Sequence, residues 1–362
     1  MDASYDIAII GAGIAGASLA AALGGATRVV LLEAEDQPGY HATGRSAAFW
    51  TESYGGASVQ PLTSASGPWL AGHGFLSPRG ALTIARTGQE AALAEWAGGF
   101  AARGVAIELL GREAVAARIS GLKAEWTCGA WEPDCSDIDV AALHQHYLAT
   151  ARGSGAQLWT RARLDNATRE GELWHLELGD KRSLQASVVV NAAGAWADEV
   201  ALACGVRPLG IAPMRRTVAQ VRVSPEVAPD LPLVLDFNEQ FYFKPEGPRL
   251  WLSPHDETAS APCDAAAEDI DVATAIARLG EVVDWSVERV EHRWAGLRSF
   301  TPDRLPAYGF DSREPGFFWF AGQGGFGIQT APAGAALAAA LLTGSATAST
   351  IDSKAFDPAR FG

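Results

Sequence analysis

Tyr5-Asp-Ile-Ala-Ile-Ile-Gly-Ala-Gly-Ile-Ala-Gly16, then a run of small residues, then Arg28-Val-Val-Leu-Leu-Glu33, decides the fold of this chain. Ile7–Ile10 has the length and branching of a strand buried on both faces of a parallel sheet. Gly11, Gly13 and Gly16 follow with G-x-G-x-x-G spacing, and a second apolar strand, Val29–Leu32, ends at Glu33. In that arrangement the first glycine makes a tight turn, the second lets the backbone approach a pyrophosphate, and the third packs helix on strand. The helix N-terminus then offers free amides and a partial positive charge to the phosphates. Glu33 stands where an acid accepts the ribose hydroxyls of an unphosphorylated adenosine. A lone glycine triplet says little; strand, glycines, helix, strand and acid in register predict a dinucleotide site.

Composition narrows the rest. A chain of 362 residues predicts one large or two intimately joined domains. Its formal charge of −14 opposes nucleic acid or an anionic membrane as partner, because either would be repelled. The Ala-rich stretches Ala15–Ala26 and Ala331–Leu342 are too short to span a bilayer, so no stable membrane insertion is expected. The chain enters a strand by Tyr5 without a basic and apolar leader, so a cytoplasmic location is expected. Cys128, Cys135, Cys204 and Cys263 are scattered without C-x-x-C pairing and read as free thiols. The histidines show no ligand spacing, and no metal site is expected.

Along the chain, Gly39–Ala48 reads as a loop that leads into a short helix at Ser46–Trp50. Gly80–Ala85 reads as a strand, and Gln89–Arg103 as a helix with an apolar stripe at Ala92, Trp96 and Phe100. Asp139 is a candidate N-cap for a helix running to Arg152. A strand at Gln157–Arg161 and a hairpin around Glu170-Gly171-Glu172 precede the buried strand Ser187–Asn191 and Ala192-Ala-Gly194-Ala-Trp196. Between Gly210 and Arg298 the pattern becomes alternating strands (Thr217–Val223, Gln240–Lys244, Arg249–Leu252) plus a helix at Asp271–Val283, which predicts an antiparallel sheet. The tail returns to strand (Phe317–Ala321), glycine-rich loop (Gly322–Gly327) and helix (Ala331–Leu342). The fold class that follows is α/β: a Rossmann-like nucleotide domain from 1–75, 138–208 and 300–362, with an inserted antiparallel-sheet substrate domain from 76–137 and 209–299.

The second glycine cluster selects among dinucleotides. A C-terminal strand, glycine loop and helix aimed back at the cofactor suit a flavin, whose N1–C2=O edge becomes negative on reduction and is stabilised by a helix N-terminus. With this cluster, the N-terminal fingerprint, Val188–Trp196 and Trp294-Ala-Gly-Leu-Arg298-Ser-Phe-Thr-Pro-Asp303, the chain resembles the FAD-dependent D-amino-acid oxidase/glycine oxidase/sarcosine oxidase superfamily over essentially its whole length. Gly39-Tyr-His-Ala-Thr-Gly-Arg-Ser46 and Leu76-Ser-Pro-Arg79 are most similar to the bacterial D-arginine dehydrogenase group.

The resemblance implies FAD along Gly11, Gly13, Ile14, Ala15, Gly16, Glu33 and Ala34. It continues the contact through Thr43, Gly44, Arg45, Ser46 and Ala47, and then Ala192, Ala193, Gly194 and Trp196. At the far end it implies Arg298, Gly324, Gly325, Phe326, Gly327, Ile328 and Gln329, with Gln329 near the pyrimidine edge of the flavin. No cysteine stands in Phe320–Gln329, where sarcosine oxidases attach flavin through sulfur, and His41 reads as a loop histidine near the ribityl chain, so the FAD is expected to be non-covalent.

For the substrate, the resemblance makes Arg298 a carboxylate clamp, a role that suits the two parallel hydrogen bonds of a guanidinium. Adjacent strand residues face opposite ways, so only one of Arg215 and Arg216 reaches the pocket, and the resemblance makes Arg216 that second arginine. Tyr242 would turn its hydroxyl to the substrate, Tyr54 would cover the pocket from a glycine-bearing loop, and Gly325 would offer a carbonyl to the substrate amine.

The implied reaction is oxidative deamination of a D-amino acid to a 2-oxo acid and ammonia by hydride transfer from Cα to flavin N5, with oxygen or a quinone or dye as acceptor. Where the D-arginine group has an acid two positions after Ser-Pro-Arg, this chain has Ala81 preceded by Gly80, and Phe49 replaces a histidine. A pocket without a carboxylate does not repay the desolvation of a cation, so neutral side chains are expected, and Glu at position 81 is expected to draw in D-arginine. The alternatives are an oxidase of glycine, N-methyl amino acids or 2-hydroxy acids on the same fold, or a catalytically silent flavin-binding subunit.

Overall fold

The computed structural model describes residues 3–345 and 351–362; residues 346–350, inside the third expected nucleotide segment, lie outside the described residues. The opening strand, Ala3–Ile10, lies centrally in an eight-stranded sheet. It pairs in parallel with Val29–Leu32 on one side, Ile10 opposite Leu32, and with Ser183–Asn191 on the other, Ile10 opposite Asn191. Val29–Leu32 in turn carries Gln157–Trp159 in parallel. Ser183–Asn191 is shared along one edge: its first half takes the hairpin strand Leu173–Leu178 antiparallel, and its second half takes Phe317–Ala321 in parallel. All these parallel strands therefore end at one edge, where ligands of open α/β sheets bind.

Both faces of this sheet are covered, as its continuous apolar runs require. On one face the helices Ile14–Leu23, Val140–Gly153 and Ala331–Thr343 pack with the buried Ile7, Ile9, Leu31 and Phe318; on the other, Tyr5, Ala8, Ile10 and Trp319 pack with Ala197–Ala203. The Asp139 side chain caps Val140–Gly153 by accepting from Ala142 N at 2.9 Å.

The second sheet has nine strands, drawn from 81–132 and 212–300. Its backbone is the long antiparallel pair Ala212–Ser224 with Ser286–Phe300, in which Met214 faces Arg298 and Arg216 faces Gly296. Arg249–Ser253 and Tyr242–Glu246 continue the sheet antiparallel, and one parallel pair, Leu233–Asp236 with Ala81–Arg86, joins its two sequence segments. That pair departs from the purely antiparallel expectation, because the chain leaves after Ile138 and returns only at Ala212.

Two local expectations are overturned. Ser46–Trp50 is not a helix: Ala48 takes φ +59° and Phe49–Trp50 pairs with Asp137–Ser136, while the single helical turn lies one step earlier at Thr43–Arg45. The helix Glu90–Ala101 fails the expected stripe at Ala92, which is exposed: Phe100 is buried as expected and Trp96 packs alongside, while the fully buried inner positions are completed by Leu93 and Ala97.

Candidate functional site

A cavity of about 520 Å³ runs from the carboxyl edge of the first sheet to the inner face of the second. At its first end the residues act mainly through the backbone. Gly11, at φ +100°, lies so close to the following segment that a Cβ there would stand 2.6 Å from the Ala192 carbonyl oxygen. Gly16 is tighter still, its place for a Cβ 1.9 Å from the Gly11 oxygen, which is the helix-on-strand contact expected of a third glycine. Glu33 accepts from Ala12 N and Glu35 N, both at 3.0 Å, and Thr43 Oγ1 accepts from Ile14 N at 2.9 Å. Burial raises the Glu33 carboxyl above its ordinary pKa, and the two amides offset part of that rise. Gly13, Ile14 and Ala15 line the cavity; the N-cap Gly13 brings no side chain between helix and cavity, and of the first-turn amides that of Ile14 is taken by Thr43.

Glu33, Ala34, Thr43, Arg45, Ser46, Ala192, Ala193, Gly194 and Trp196 also line this space. The Arg45 guanidinium is occupied by the Ala265 and Ala295 carbonyls and by Asp264, so it ties two loops together while its stem borders the cavity. The His41 ring packs at 4.5 Å on Trp196 and bonds Glu35, and its Nδ1 is buried without a partner. The glycine cradle, an acid at the strand end and an unpartnered ring nitrogen along the wall fit an extended dinucleotide such as FAD.

Five expected contacts lie outside the lining of the main cavity. Gly16 lies beneath Gly11, and Gly44 closes a turn by donating to the Gly39 oxygen. Phe326 packs with Val59 and Phe300, and Gln329 is buried with its side chain on Thr51 N, the Tyr54 carbonyl and Thr63 Oγ1. Phe326 is held by its apolar neighbours and Gln329 by three polar ones, so neither side chain reaches the main cavity. Ala47 and Gln329 border a smaller recess shared with Ser46, Arg298, Gly325 and Ile328. Gly324, Gly325, Gly327 and Ile328 line the cavity itself, and behind them the helix Ala331–Thr343 gives its Ala333 N to Ser66 Oγ.

At the other end, side chains do the work. Arg215 and Arg216 do face opposite ways: Arg215 pairs with Glu268 and Asp271, whereas Arg216, 2% exposed, points inward beside Arg298. Arg216 donates to the Asp256 carbonyl at 2.7 Å and pairs with Glu257 at 3.1 Å. Both guanidiniums converge on the Tyr54 hydroxyl, Arg298 at 3.3 Å and Arg216 at 3.5 Å. Gly325 completes the cluster, since a Cβ there would meet Tyr54 Oη at 2.7 Å and Arg298 Nη1 at 2.9 Å. Burial pushes the Tyr54 hydroxyl up, yet the charges and hydrogen bonds of Arg298 and Arg216 outweigh it and hold its pKa below that of an ordinary tyrosine. The Tyr242 hydroxyl is buried with no partner, and its ring packs on Phe49 at 5.8 Å and His255 at 5.7 Å.

Beside Tyr242 lies an apolar wall of Ala47, Ala81, Cys135 and Leu233, with Phe49 and Leu235 against it. Ala81 is 2% exposed there, so a glutamate at this position meets packed neighbours rather than open pocket, contrary to the sequence expectation. Gly80, at φ +74°, is closed off by the Trp131 ring, 2.0 Å from where a Cβ would stand.

Sequence reading missed His255, which sits between Tyr54 and Tyr242 at φ +53°. Its Nδ1 donates to the Glu239 carbonyl, and burial, aided by the Arg216 charge, pushes its pKa down to about 3, so it is a neutral imidazole whose Nε2 is an acceptor. It also missed Glu132, buried on Trp126–Glu132 beneath the Tyr54 segment. Neither stands in a motif; each enters through strand pairing between distant segments.

Comparison with known proteins agrees with this geometry. The FAD dependent oxidoreductase family, DAO, matches residues 6–341. Among solved structures, glycine oxidase from Geobacillus kaustophilus is 23% identical, with a TM-score of 0.85 and 98% of each chain covered. L-proline dehydrogenase from P. horikoshii is 20% identical, with a TM-score of 0.87 over 100% of this chain and 98% of that one. A glycerol-3-phosphate dehydrogenase from Pseudomonas aeruginosa is 42% identical over 81 residues, a stretch spanning only 16% of that protein. With the glycine cradle, the second glycine loop and a family match across nearly the whole length, the chain belongs to the DAO family of FAD-dependent oxidoreductases.

Proposed function

We propose that this enzyme oxidises D-amino acids with neutral, mainly apolar side chains to 2-oxo acids and ammonia. The observation that carries the reading is the convergence of Arg298 and Arg216 on one point at the end of the cofactor cavity. Two inward guanidiniums suit a carboxylate, which would be received beside the Tyr54 hydroxyl and accept a bidentate pair from Arg298. The unpartnered Tyr242 hydroxyl gains an acceptor in the same step. The Gly325 carbonyl receives the substrate amine, and the dry surroundings favour that amine in its neutral form, so the chain need supply no strong base. FAD, when bound, supplies the electron-accepting ring; the protein orients the substrate and excludes water.

The recess beside Arg298 and Gly325, bordered by Ala47, Ala48, Phe49 and Ile328 and by no carboxylate, supports a neutral side chain, because nothing in its lining offsets the desolvation of a cation. We assign 1–75, 138–208 and 300–362 to cofactor binding and 76–137 and 209–299 to the substrate, with FAD held non-covalently: acid precipitation is expected to leave the yellow colour in solution.

The test is anaerobic reduction of the purified flavoprotein by D-leucine, D-arginine, L-leucine, sarcosine and a 2-hydroxy acid, followed by air or a dye acceptor. Fastest bleaching by D-leucine supports the proposal. Preference for D-arginine refutes the pocket reading, preference for L-leucine the stereochemistry, and bleaching by sarcosine or the hydroxy acid alone the substrate class. Recovery of colour in air identifies oxygen as an acceptor, and recovery only with the dye excludes it.

A further inference from the structure

The Tyr54 segment is held from both sheets. Glu132, 2% exposed on the strand Trp126–Glu132, accepts from Thr51 Oγ1 at 2.7 Å and Glu52 N at 2.6 Å on one carboxylate oxygen, and from Ser53 Oγ at 2.7 Å on the other. From the first sheet's side, Gln329 accepts from Thr51 N at 3.3 Å and donates to the Tyr54 carbonyl at 3.1 Å. Three consecutive residues are thus spent on one buried carboxylate, and the next is Tyr54, whose hydroxyl touches both arginines. Gly55 and Gly56 follow, both at positive φ; Gly55 lies against Phe326 and Val59, and the Gly56 carbonyl accepts from Val59 N at 3.1 Å and Gln60 N at 3.0 Å.

We propose that Glu132 is a positioning residue that fixes the Tyr54 hydroxyl between Arg298 and Arg216, and through it the place where the substrate carboxylate is received. The inference rests on the amino-acid oxidation reading for its kinetic consequence only; the position of the tyrosine is a property of the protein itself. A buried carboxyl with three donors is a costly arrangement unless every donor is used, and removing it leaves the Glu52 amide without an acceptor and the Thr51 and Ser53 hydroxyls with only each other at 3.4 Å. Glutamine preserves the contacts: its oxygen keeps Thr51 and Glu52, and its amide donates to the Ser53 hydroxyl.

The experiment uses the flavin-loaded protein and two readouts. In 13Cζ-tyrosine NMR, Tyr54 is identified by its loss in Tyr54→Phe, and its titration is followed with pH; Arg298, Arg216 and His255 are the charged or titratable groups that face it. Glu132→Ala is expected to move that titration upward by on the order of one pH unit as the hydroxyl leaves the arginines, whereas Glu132→Gln leaves it in place. In kinetics, Glu132→Ala is expected to lower kcat/KM by about three- to fivefold, mainly through KM and no more than Tyr54→Phe does, and to have little further effect in the Tyr54→Phe background. Where Glu132→Ala does not fold, Thr51→Val with Ser53→Ala removes two donors from the other side and is expected to reproduce both shifts. An unmoved Tyr54 titration, or a Glu132 effect of equal size with and without the Tyr54 hydroxyl, overturns the proposal. If no amino acid reduces the flavin, the oxidation reading fails while the titration still decides the role of Glu132.

Discussion

The two ends of the cavity are built in different ways. The dinucleotide end comes largely from residues 7–45, and its contacts are those of backbone: Gly11 against Ala192, Ala12 N on Glu33, Ile14 N on Thr43. The substrate end gathers Tyr54, Arg216, Tyr242, His255, Arg298 and Gly325 from segments up to 271 residues apart in sequence, and its contacts are those of buried charge and hydroxyl. Backbone recognition tolerates few residue types, because a Cβ has nowhere to go. Side-chain recognition tolerates many sequences and depends on registry. The first end should therefore fail by losing the cofactor or the fold, and the second by losing catalysis while both remain.

Gly16→Val tests the first half of that contrast and has the largest expected effect. Its Cβ would lie 1.9 Å from a backbone oxygen, an overlap that no rotamer relieves. We expect a cost of about 3 kcal/mol or more and colourless or insoluble protein, measured by flavin content per chain and Tm. Normal flavin content in this variant breaks the comparison.

Arg298→Ala tests the second half. Loss of a charge-assisted bidentate contact is expected to lower kcat/KM roughly a hundredfold, about 3 kcal/mol, with flavin content unchanged. Arg298→Lys recovers only part, since an ammonium cannot present two parallel donors. A loss below about fivefold, read from steady-state kinetics with D-leucine, would assign Arg298 to structure.

His255 sharpens the contrast through pH. Its pKa is about 3 in the folded protein against an ordinary value near 6.5 when unfolded, so between these values the unfolded chain binds the extra proton. Stability from this site is therefore complete above about pH 6.5 and declines as pH falls, by roughly 2 kcal/mol between pH 7 and pH 5. His255→Asn, which suits the positive φ, is expected to flatten that part of the urea-unfolding profile. An unchanged slope excludes His255 as its source.

Tyr54→Phe carries the smallest effect. The Tyr54 phenolate forms below the pH of an ordinary tyrosine because two guanidiniums stabilise it, and an anion at that point would repel the carboxylate of the proposed substrate. The kcat/KM profile is expected to fall on the alkaline side, and phenylalanine is expected to remove that fall at a cost of roughly 1 kcal/mol at neutral pH. A descending limb that survives in Tyr54→Phe belongs to another group.

Much of the first end was legible because its information is local. Spacing of glycines, the strand before them and the acid after them report directly on backbone geometry, and the strands Val29–Leu32 and Phe317–Ala321 lie where their apolar runs place them. Phe49–Trp50 was misread because its strand partner, Asp137–Ser136, lies nearly ninety residues away. Arg298 and Arg216 were reached through family resemblance, and the alternation of a strand explained only why one of two adjacent arginines turns inward. His255 and Glu132 had no signal: a neutral imidazole and a buried carboxylate are defined by what surrounds them.

The amino-acid sequence by itself determined that this chain binds a dinucleotide, since a glycine is demanded wherever backbone meets backbone and such demands are written at fixed short spacing. Only the tertiary structure decided which charges meet. The antiparallel register of Ala212–Ser224 with Ser286–Phe300 sets Arg216 beside Arg298, and the clamp of Glu132 and Gln329 brings the Tyr54 hydroxyl between them. The physical reason is that the energy of a buried charge depends on neighbours within a few ångströms, and those neighbours are supplied by folding, not by sequence adjacency.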